Sequence, residues 1–113
     1  MGRIYKILTR AEWSRARAAG VFEGSAVDLA DGFIHFSTAA QAGETARRHF
    51  LGQSDLVVLE VEAGDLGPVL DWEPSRGGDL FPHLYGALEV GHVRAVTDAP
   101  LDAEGVPTLG ALA

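Results

Sequence analysis

The chain has 113 residues, of which 47% are hydrophobic and 22% are charged. This composition is typical of one ordinary globular domain and argues against general disorder. The 16 acidic and 9 basic residues give a net charge of -7, which disfavours a nucleic-acid backbone or an anionic membrane as a partner. Cysteine is absent, so disulfides, thiolate metal sites and a cysteine nucleophile are excluded. No apolar run approaches the about 20 residues of a membrane span or resembles a signal peptide, so we expect a cytoplasmic protein.

The first third of the chain predicts a strand, a helix and a loop. Residues 4–8 are rich in β-branched and aromatic side chains and predict a strand. Thr9 and Glu12 have the spacing of a capping box, which predicts a helix that Gly20 stops. Residues 21–32 contain turn signals and no clear period, so we expect a loop there.

The next segment predicts a short strand followed by a second helix. Alternation in residues 33–37 places Phe33, His35 and Ser37 on one face of that strand and Ile34 and Phe36 on the other. Thr38 opens a second capping box, and we expect Gly52 to end the helix that follows.

The second half of the chain predicts mainly strands. Residues 56–62 alternate most clearly, and residues 69–73 are a further candidate strand. The remaining predictions are a glycine-rich polar loop at 74–82, and two strands at 84–90 and 92–97 that are joined around Gly91. Because helices cluster early and strands late, the pattern favours an α+β fold. We expect one compact domain over residues 1–101 and a C-terminal arm over residues 102–113.

Two histidine-bearing segments, residues 31–38 and 75–86, contain most of the side chains that could perform chemistry. His35 stands where a strand meets a helix amino terminus, which presents unpaired amide donors to a polar ligand. His83 and Tyr85 share one face if their segment is extended, which sets an imidazole beside a phenol. The alternative is that His35 is a half-buried, hydrogen-bonded histidine of the core and Tyr85 a core residue.

The segment before His83 offers further candidates for ligand contacts. Trp72 and Glu73 precede a polar loop in which Arg76 could clamp a phosphate or a carboxylate. The paired glycines Gly77 and Gly78 would let the backbone approach a ligand closely. They form neither a P-loop nor a dinucleotide fingerprint, and a lone pair of glycines is more often just a flexible turn.

Other kinds of catalytic centre have less support. The four histidines show no paired spacing on one helix, so we expect no metal, although a site built from His35, His83 and one carboxylate remains an alternative. Ser37 and Ser75 lack the sequence context of a nucleophile elbow, which argues against serine hydrolysis.

These motifs resemble those of a known family. Residues 5–7, 31–38, 72–73 and 81–86 resemble a bacterial family catalogued as domain of unknown function 952, and the likeness covers nearly the whole chain apart from the tail. That family is grouped by fold with the ADP-ribosyltransferase-like proteins, which bind nicotinamide adenine dinucleotide (NAD) in a cleft between two small sheets. The resemblance therefore implies two small, mainly antiparallel sheets that form a cleft, with two flanking helices.

The resemblance also implies roles for individual residues. His35 is similar to the histidine that hydrogen-bonds the nicotinamide-side ribose, and Ser37 and Thr38 follow at the small-hydroxyl position. Tyr85 is the candidate for the ring that stacks on nicotinamide, with His83 as the alternative. Trp72 and Arg76 complete the expected NAD-binding set.

Two features depart from the transferase pattern. Phe36 stands where many transferases have a glycine that lets the backbone meet the carboxamide. In addition, Glu73 and Glu89 compete for the position of the catalytic glutamate.

Two classes of function follow from these observations. The first is an enzyme with NAD as its substrate, either an ADP-ribosyltransferase or an NAD glycohydrolase. The second is a non-catalytic module that binds a small molecule or a nucleotide. An RNA-directed activity, known in the same fold, is disfavoured by the acidic charge. The discriminating feature is whether Glu73 or Glu89 lies in the same cleft as His35.

Overall fold

Strands and three α-helices alternate through the part of the chain that the computed structural model describes, which is residues 2–112 without the side chain of Arg76. The elements are, in chain order, β1 (Arg3–Thr9), α1 (Arg10–Ala19), β2 (Val21–Phe22), α2 (Ala26–Asp31), β3 (Ile34–His35), β4 (Ser37–Thr38), α3 (Ala39–His49), β5 (Leu56–Glu62), β6 (Leu70–Ser75), β7 (Asp79–Leu84), β8 (Leu88–Glu89) and β9 (Val93–Asp98). Short 3₁₀ segments at Ala63–Val69, Arg76–Gly78 and Val90–His92 connect the later strands.

The strands form several small antiparallel sheets. A four-stranded sheet has the order β4-β1-β5-β9, a three-stranded sheet has the order β3-β7-β6, and β2 pairs with β8. The long pairing of β1 with β5 runs from Arg3 opposite Glu62 to Thr9 opposite Leu56. This pairing forms the centre of the four-stranded sheet.

Both faces of β5 are buried, which divides the apolar interior into two clusters. Val57, Leu59 and Val61 face the main core, which also contains Ile34 and Leu84 of the three-stranded sheet. The opposite face of the four-stranded sheet packs against α3 and the tail, through residues that include Tyr5, Ile7, Val58, Ala46 and Leu109. The three-stranded sheet therefore turns the face that carries Ile34 and Leu84 to the main core.

The predicted capping boxes and the first strand are confirmed. The Thr9 hydroxyl accepts a hydrogen bond from the amide of Glu12, and Gly20 ends α1 with a positive φ of 86°. Thr38 caps α3 in the same way, through the amide of Gln41. These local signals need no tertiary context, because the donors that they satisfy belong to the helix itself.

Three predictions for irregular or helical segments are wrong. Residues 21–32 are not a loop, since they contain β2 and α2. The polar loop at 74–82 is instead a β-hairpin, in which β6 and β7 meet at a tight turn with Gly77 at φ 77°. Helix α3 ends at His49, and Phe50 rather than Gly52 is its cap.

Two strand predictions are also corrected. The single strand at 33–37 is divided between two sheets, because β3 pairs with β7 whereas β4 pairs with β1. The segment 84–90 is extended only at Leu84 and at β8, and β8 does not form a hairpin with β9. A pattern of alternating residues cannot reveal that the chain changes sheets, since both halves keep the same period.

The α+β class and the antiparallel pairing are confirmed, in one compact domain with a radius of gyration of 13.1 Å. The expectation of two sheets and two helices is wrong, since the described residues also contain the β2–β8 pair and α2. In the tail, Leu101 bridges Pro107, and Leu109 and Leu112 pack against the second core cluster. None of the helices in the described residues is both long enough and apolar enough to span a membrane.

Candidate functional site

The face of the three-stranded sheet that points away from the main core brings the two histidine motifs together. His35 of β3 is directly opposite His83 of β7, so both side chains leave the same face of the sheet. Their ring centroids are 5.6 Å apart, with the edge of one ring towards the face of the other. The neighbouring pair, Ile34 and Leu84, faces the main core.

A phenylalanine ring packs on this pair. Phe33 is stacked on His83, with ring centroids 4.0 Å apart and an interplanar angle of 26°. Its ring is also 4.5 Å from that of His35 and 5.3 Å from that of Tyr85. We refer to Phe33, His35, Glu73, His83 and Tyr85 as the histidine face.

Glu73 is the carboxylate of this face. Its Oε1 lies 2.7 Å from Nδ1 of His83 and accepts a 2.7 Å hydrogen bond from the hydroxyl of Tyr85. The Tyr85 hydrogen bond and, next, that of His83 lower the pKa of Glu73. Reciprocally, Glu73 raises the pKa of Tyr85 to about 12. The geometry therefore keeps an ionised carboxylate between an imidazole and a neutral phenol.

A buried ion pair lies on the other side of His35. Oδ1 of Asp28 lies 2.6 Å from Nδ1 of His35 and also accepts a hydrogen bond from the His35 amide. Nζ of Lys6 is 2.8 Å from Oδ2 of the same carboxylate, and the two side chains are only 4% and 1% exposed. Burial by itself would raise the pKa of Asp28, but the His35 hydrogen bond and the Lys6 ammonium hold it well below its ordinary value. Burial lowers the pKa of Lys6.

The second nitrogen of His35 faces the surface. Nε2 lies 2.9 Å from Oδ2 of Asp31, a side chain that is 48% exposed at the end of α2. A carboxylate only accepts, so His35 bonds to Asp28 and Asp31 together only when both ring nitrogens carry protons.

Other predicted site residues lie away from the histidine face. The Ser37 hydroxyl is buried and bonded to Thr45 of α3, and the Thr38 hydroxyl caps the same helix. Trp72 pairs with Pro82, so the alternation of β6 directs it to the face of the sheet opposite to the two histidines, where it is 38% exposed. Glu89 lies in the β2–β8 pair, with His92 Nε2 3.9 Å away. The prediction for Arg76 concerns a side chain that lies outside the described residues.

A shallow cavity of about 220 Å³ adjoins this region. It shares Asp28 and Phe33 with the surroundings of the two histidines, and its other walls include Glu23, Leu29 and Gly86. Among the described residues, no group of three or more histidine, aspartate or glutamate side chains is arranged to hold a metal ion.

Sequence reasoning missed Lys6, Asp28, Asp31 and the covering role of Phe33. Two signals for this part of the site were present. Ser25 and Asp28 have the spacing of a capping box, which is a helix start within the supposed loop. Lys6 is a charge within an otherwise apolar strand, a pattern that indicates a buried partner of opposite charge.

Comparisons with known proteins place this geometry in a wider context. A family model described as "Protein of unknown function (DUF952)" matches residues 7–96. The crystal structure of protein CC0527 from Caulobacter crescentus shares 62% sequence identity, covers 96% of this chain and 95% of that chain, and superposes with a TM-score of 0.94. The solution NMR structure of CC0527 also shares 62% identity, covers 97% of this chain and 95% of that chain, and has a TM-score of 0.87. No curated protein matches the chain.

Proposed function

Since the chain belongs to the DUF952 family, we propose that it is an NAD-utilising enzyme with an ADP-ribosyltransferase-like fold, acting as an ADP-ribosyltransferase or an NAD glycohydrolase. One observation carries the proposal: Glu73, an ionised carboxylate, contacts His83 and Tyr85 on the same sheet face as His35. Such a charge, fixed beside aromatic rings, suits a substrate that develops positive charge during reaction.

In the proposed reaction, the bond between the nicotinamide nitrogen and the ribose anomeric carbon breaks, and its electron pair leaves with nicotinamide. The ribose becomes an oxocarbenium ion, which Glu73 stabilises. Water or an acceptor hydroxyl then adds to the anomeric carbon and releases a proton. His35 would hold the ribose, and Tyr85 or His83 would contact the nicotinamide ring.

Glu73 is preferred over Glu89 as the catalytic carboxylate because of its contacts. Glu73 bonds to His83, whose ring is 5.6 Å from that of His35, whereas Glu89 has His92 as its neighbour. Arg76 remains a proposed clamp for the diphosphate. Ser37 and Thr38 already make hydrogen bonds within the fold, so a role for their hydroxyls in NAD binding is the weaker part of the proposal.

The alternative is a non-catalytic module that binds a small molecule or nucleotide fragment, and one observation favours it. Phe33 covers the face of His83, and His83 is only 6% exposed. The adjoining cavity of about 220 Å³ is smaller than the ~300–1,000 Å³ typical of ligand pockets. These dimensions suit a fragment better than an entire dinucleotide.

The test is thermal unfolding of the protein with NAD, ADP-ribose and nicotinamide, combined with chromatographic detection of released nicotinamide. NAD at a hundred times its dissociation constant should stabilise the fold by ~2.7 kcal/mol. For an enzyme, nicotinamide release should be lost in Glu73→Gln and retained in Glu89→Gln, a matched change of a glutamate outside the histidine face.

The other outcomes reject the enzyme, reassign its catalytic carboxylate or reject both functions. Stabilisation by NAD or a fragment without nicotinamide release would reject the enzyme and support the binding module. Release that is lost in Glu89→Gln but not in Glu73→Gln would move the catalytic role to Glu89. No stabilisation by any of the three compounds would reject both functions.

A further inference from the structure

The proposed reaction makes no use of the buried pair formed by Lys6 and Asp28. Lys6 alternates with Ile4 and Leu8 on the side of β1 that faces the main core, and its ammonium is 6.0 Å from the ring centre of Phe22. Its charge is therefore removed from water among apolar side chains. Such burial is unfavourable unless the charge is paired and hydrogen-bonded.

Asp28 joins three elements through one carboxylate. Oδ2 accepts hydrogen bonds from the amide and the hydroxyl of Ser25 at the start of α2. Lys6 of β1 donates to the same carboxylate, and so does the amide of His35 in β3. The His35 ring adds the shortest of these contacts, 2.6 Å at Nδ1.

The capping of α2 does not by itself explain why Lys6 is buried beside Asp28. In α1 the equivalent carboxylate, Glu12, accepts hydrogen bonds from the amide and hydroxyl of Thr9 while it remains half-buried. A capping carboxylate therefore functions in this chain without full burial. What distinguishes Asp28 is its contact with an imidazole, and the lysine supplies the counter-charge that lets the buried carboxylate stay ionised.

We infer that Asp28 is a positioning residue for His35 and that Lys6 is its counter-charge. Together they keep a proton on Nδ1, so that in the neutral ring Nε2 accepts a hydrogen bond on the exposed side once the Asp31 carboxylate turns away from it. Asp31 marks that side, because its half-exposed carboxylate lies 2.9 Å from Nε2. The inference rests on the proposed function only for the identity of the ligand group, a ribose hydroxyl that would donate to Nε2.

The test is the protonation pattern of the histidine rings, read from long-range proton–nitrogen NMR correlations above the pH at which the rings lose their second proton. In the unmodified protein we expect His35 to show the Nδ1–H tautomer. We expect Asp28→Asn, whose amide oxygen still accepts a hydrogen bond, to weaken this signature. The paired variant Lys6→Met with Asp28→Leu should lose it while retaining the fold, because it removes both buried charges and the acceptor of the Nδ1 proton. Glu73→Gln is the matched control, since it should change the pattern of His83 and leave that of His35 unchanged.

The paired variant separates positioning from a purely structural role. If it folds and His35 still shows the Nδ1–H tautomer, the positioning role is wrong. An Nε2–H tautomer at His35 in the unmodified protein would also overturn it. NAD binding is measured separately on the same samples. A confirmed tautomer without any NAD binding would contradict the proposed function and leave the positioning role intact.

Discussion

His35 and His83 are each held at Nδ1 by a carboxylate, but the two carboxylates have opposite surroundings. Asp28 is 1% exposed and paired with a buried lysine, whereas Glu73 is 37% exposed and paired with a surface phenol. Because water can replace the partners of an exposed group, substitution of Glu73 should change chemistry more than stability. Substitution of Asp28 alone would leave the Lys6 charge buried without its partner.

The phenol of Tyr85 should report the charge of Glu73. In Glu73→Gln we expect the pKa of Tyr85 to fall from about 12 towards its ordinary value of about 10, because the hydrogen bond to an ionised acceptor and the adjacent negative charge are both lost. The measurement is an alkaline titration followed by phenolate absorbance, with Tyr85→Phe subtracted to remove the signal of Tyr5. Glu89→Gln should leave the curve unchanged. An unaltered Tyr85 titration in Glu73→Gln would mean that the two side chains do not interact in solution.

At the scale of elements, local signals predicted the parts whose cause is local. Both long helices begin at capping boxes that are legible in the sequence, and α1 ends at the expected glycine. The sequence predicts strand β5 equally well, because every second side chain is apolar on the face that meets the main core. These patterns depend on neighbours within one turn or one strand.

The hairpin of β6 and β7 shows why other elements were missed. Pro82 lies in β7, the central strand of its sheet, where proline removes a potential backbone donor. Pro74 and the paired glycines Gly77 and Gly78 also favour a loop in the sequence. The strand is nevertheless formed because Leu84 and Phe81 are buried, and the Pro82 carbonyl accepts a hydrogen bond from Phe36. Tertiary packing outweighs local propensity here.

The position of α2 depends on the absence of a side chain at Gly24. A Cβ atom there would lie 2.8 Å from Cβ of Asp28, and the glycine has a φ of 126°. We expect Gly24→Ala to destabilise the fold more than Gly32→Ala. In Gly32→Ala the only cost is backbone strain of about 1–3 kcal/mol. Gly32 is the matched control because its φ is 87° and an added Cβ would meet nothing within 4 Å.

Denaturant unfolding of the two variants, with NMR of the His35 ring, checks this prediction. Gly24→Ala should also disturb the His35 Nδ1 signal, because the carboxylate that holds it must move. Equal losses of stability in the two variants would show that α2 shifts to accommodate the methyl group.

At the scale of the whole molecule, the four-stranded sheet is covered on both faces. The main core covers one face, and α3 and the tail cover the other. Leu109 and Leu112 pack against the cluster that contains Tyr5, Ile7 and Val58. The tail also borders a groove beside α3, lined by residues that include Ala39 and Gly43. Leu109 and Leu112 therefore cover the face of the four-stranded sheet that points away from the main core.

Truncation of the two tail leucines should lower the free energy of unfolding. We expect Leu109→Ala with Leu112→Ala to cost about 1–3 kcal/mol, less than for two fully buried leucines, because each is partly exposed. Leu101→Ala is the control within the same tail, since Leu101 is 36% exposed. Chemical denaturation measures the free energy of unfolding of the unmodified protein, the double variant and Leu101→Ala. A loss in the control as large as in the double variant would mean that the leucine contacts with the sheet contribute nothing specific.

The membership of the family and about half of the candidate site could be predicted from the sequence. The sequence predicts the histidine motifs, Tyr85 and Glu73, because these polar residues stand among turn signals. Asp28 and Lys6 escaped notice because their pairing joins β1 to a helix that no period predicted. Proximity between residues distant in sequence is decided by sheet order, which alternation alone does not specify.

The histidine face is assembled from contacts of very different sequence separation. Glu73, His83 and Tyr85 lie in or directly after a single β-hairpin, whereas His35 joins them only through the pairing of β3 with β7. Closing a long loop costs more conformational entropy than closing a short one, and non-local pairing slows folding. During refolding, the contact of Glu73 with His83 is therefore accessible at an early stage. The meeting of the two imidazoles must wait until the distant strands have found their register.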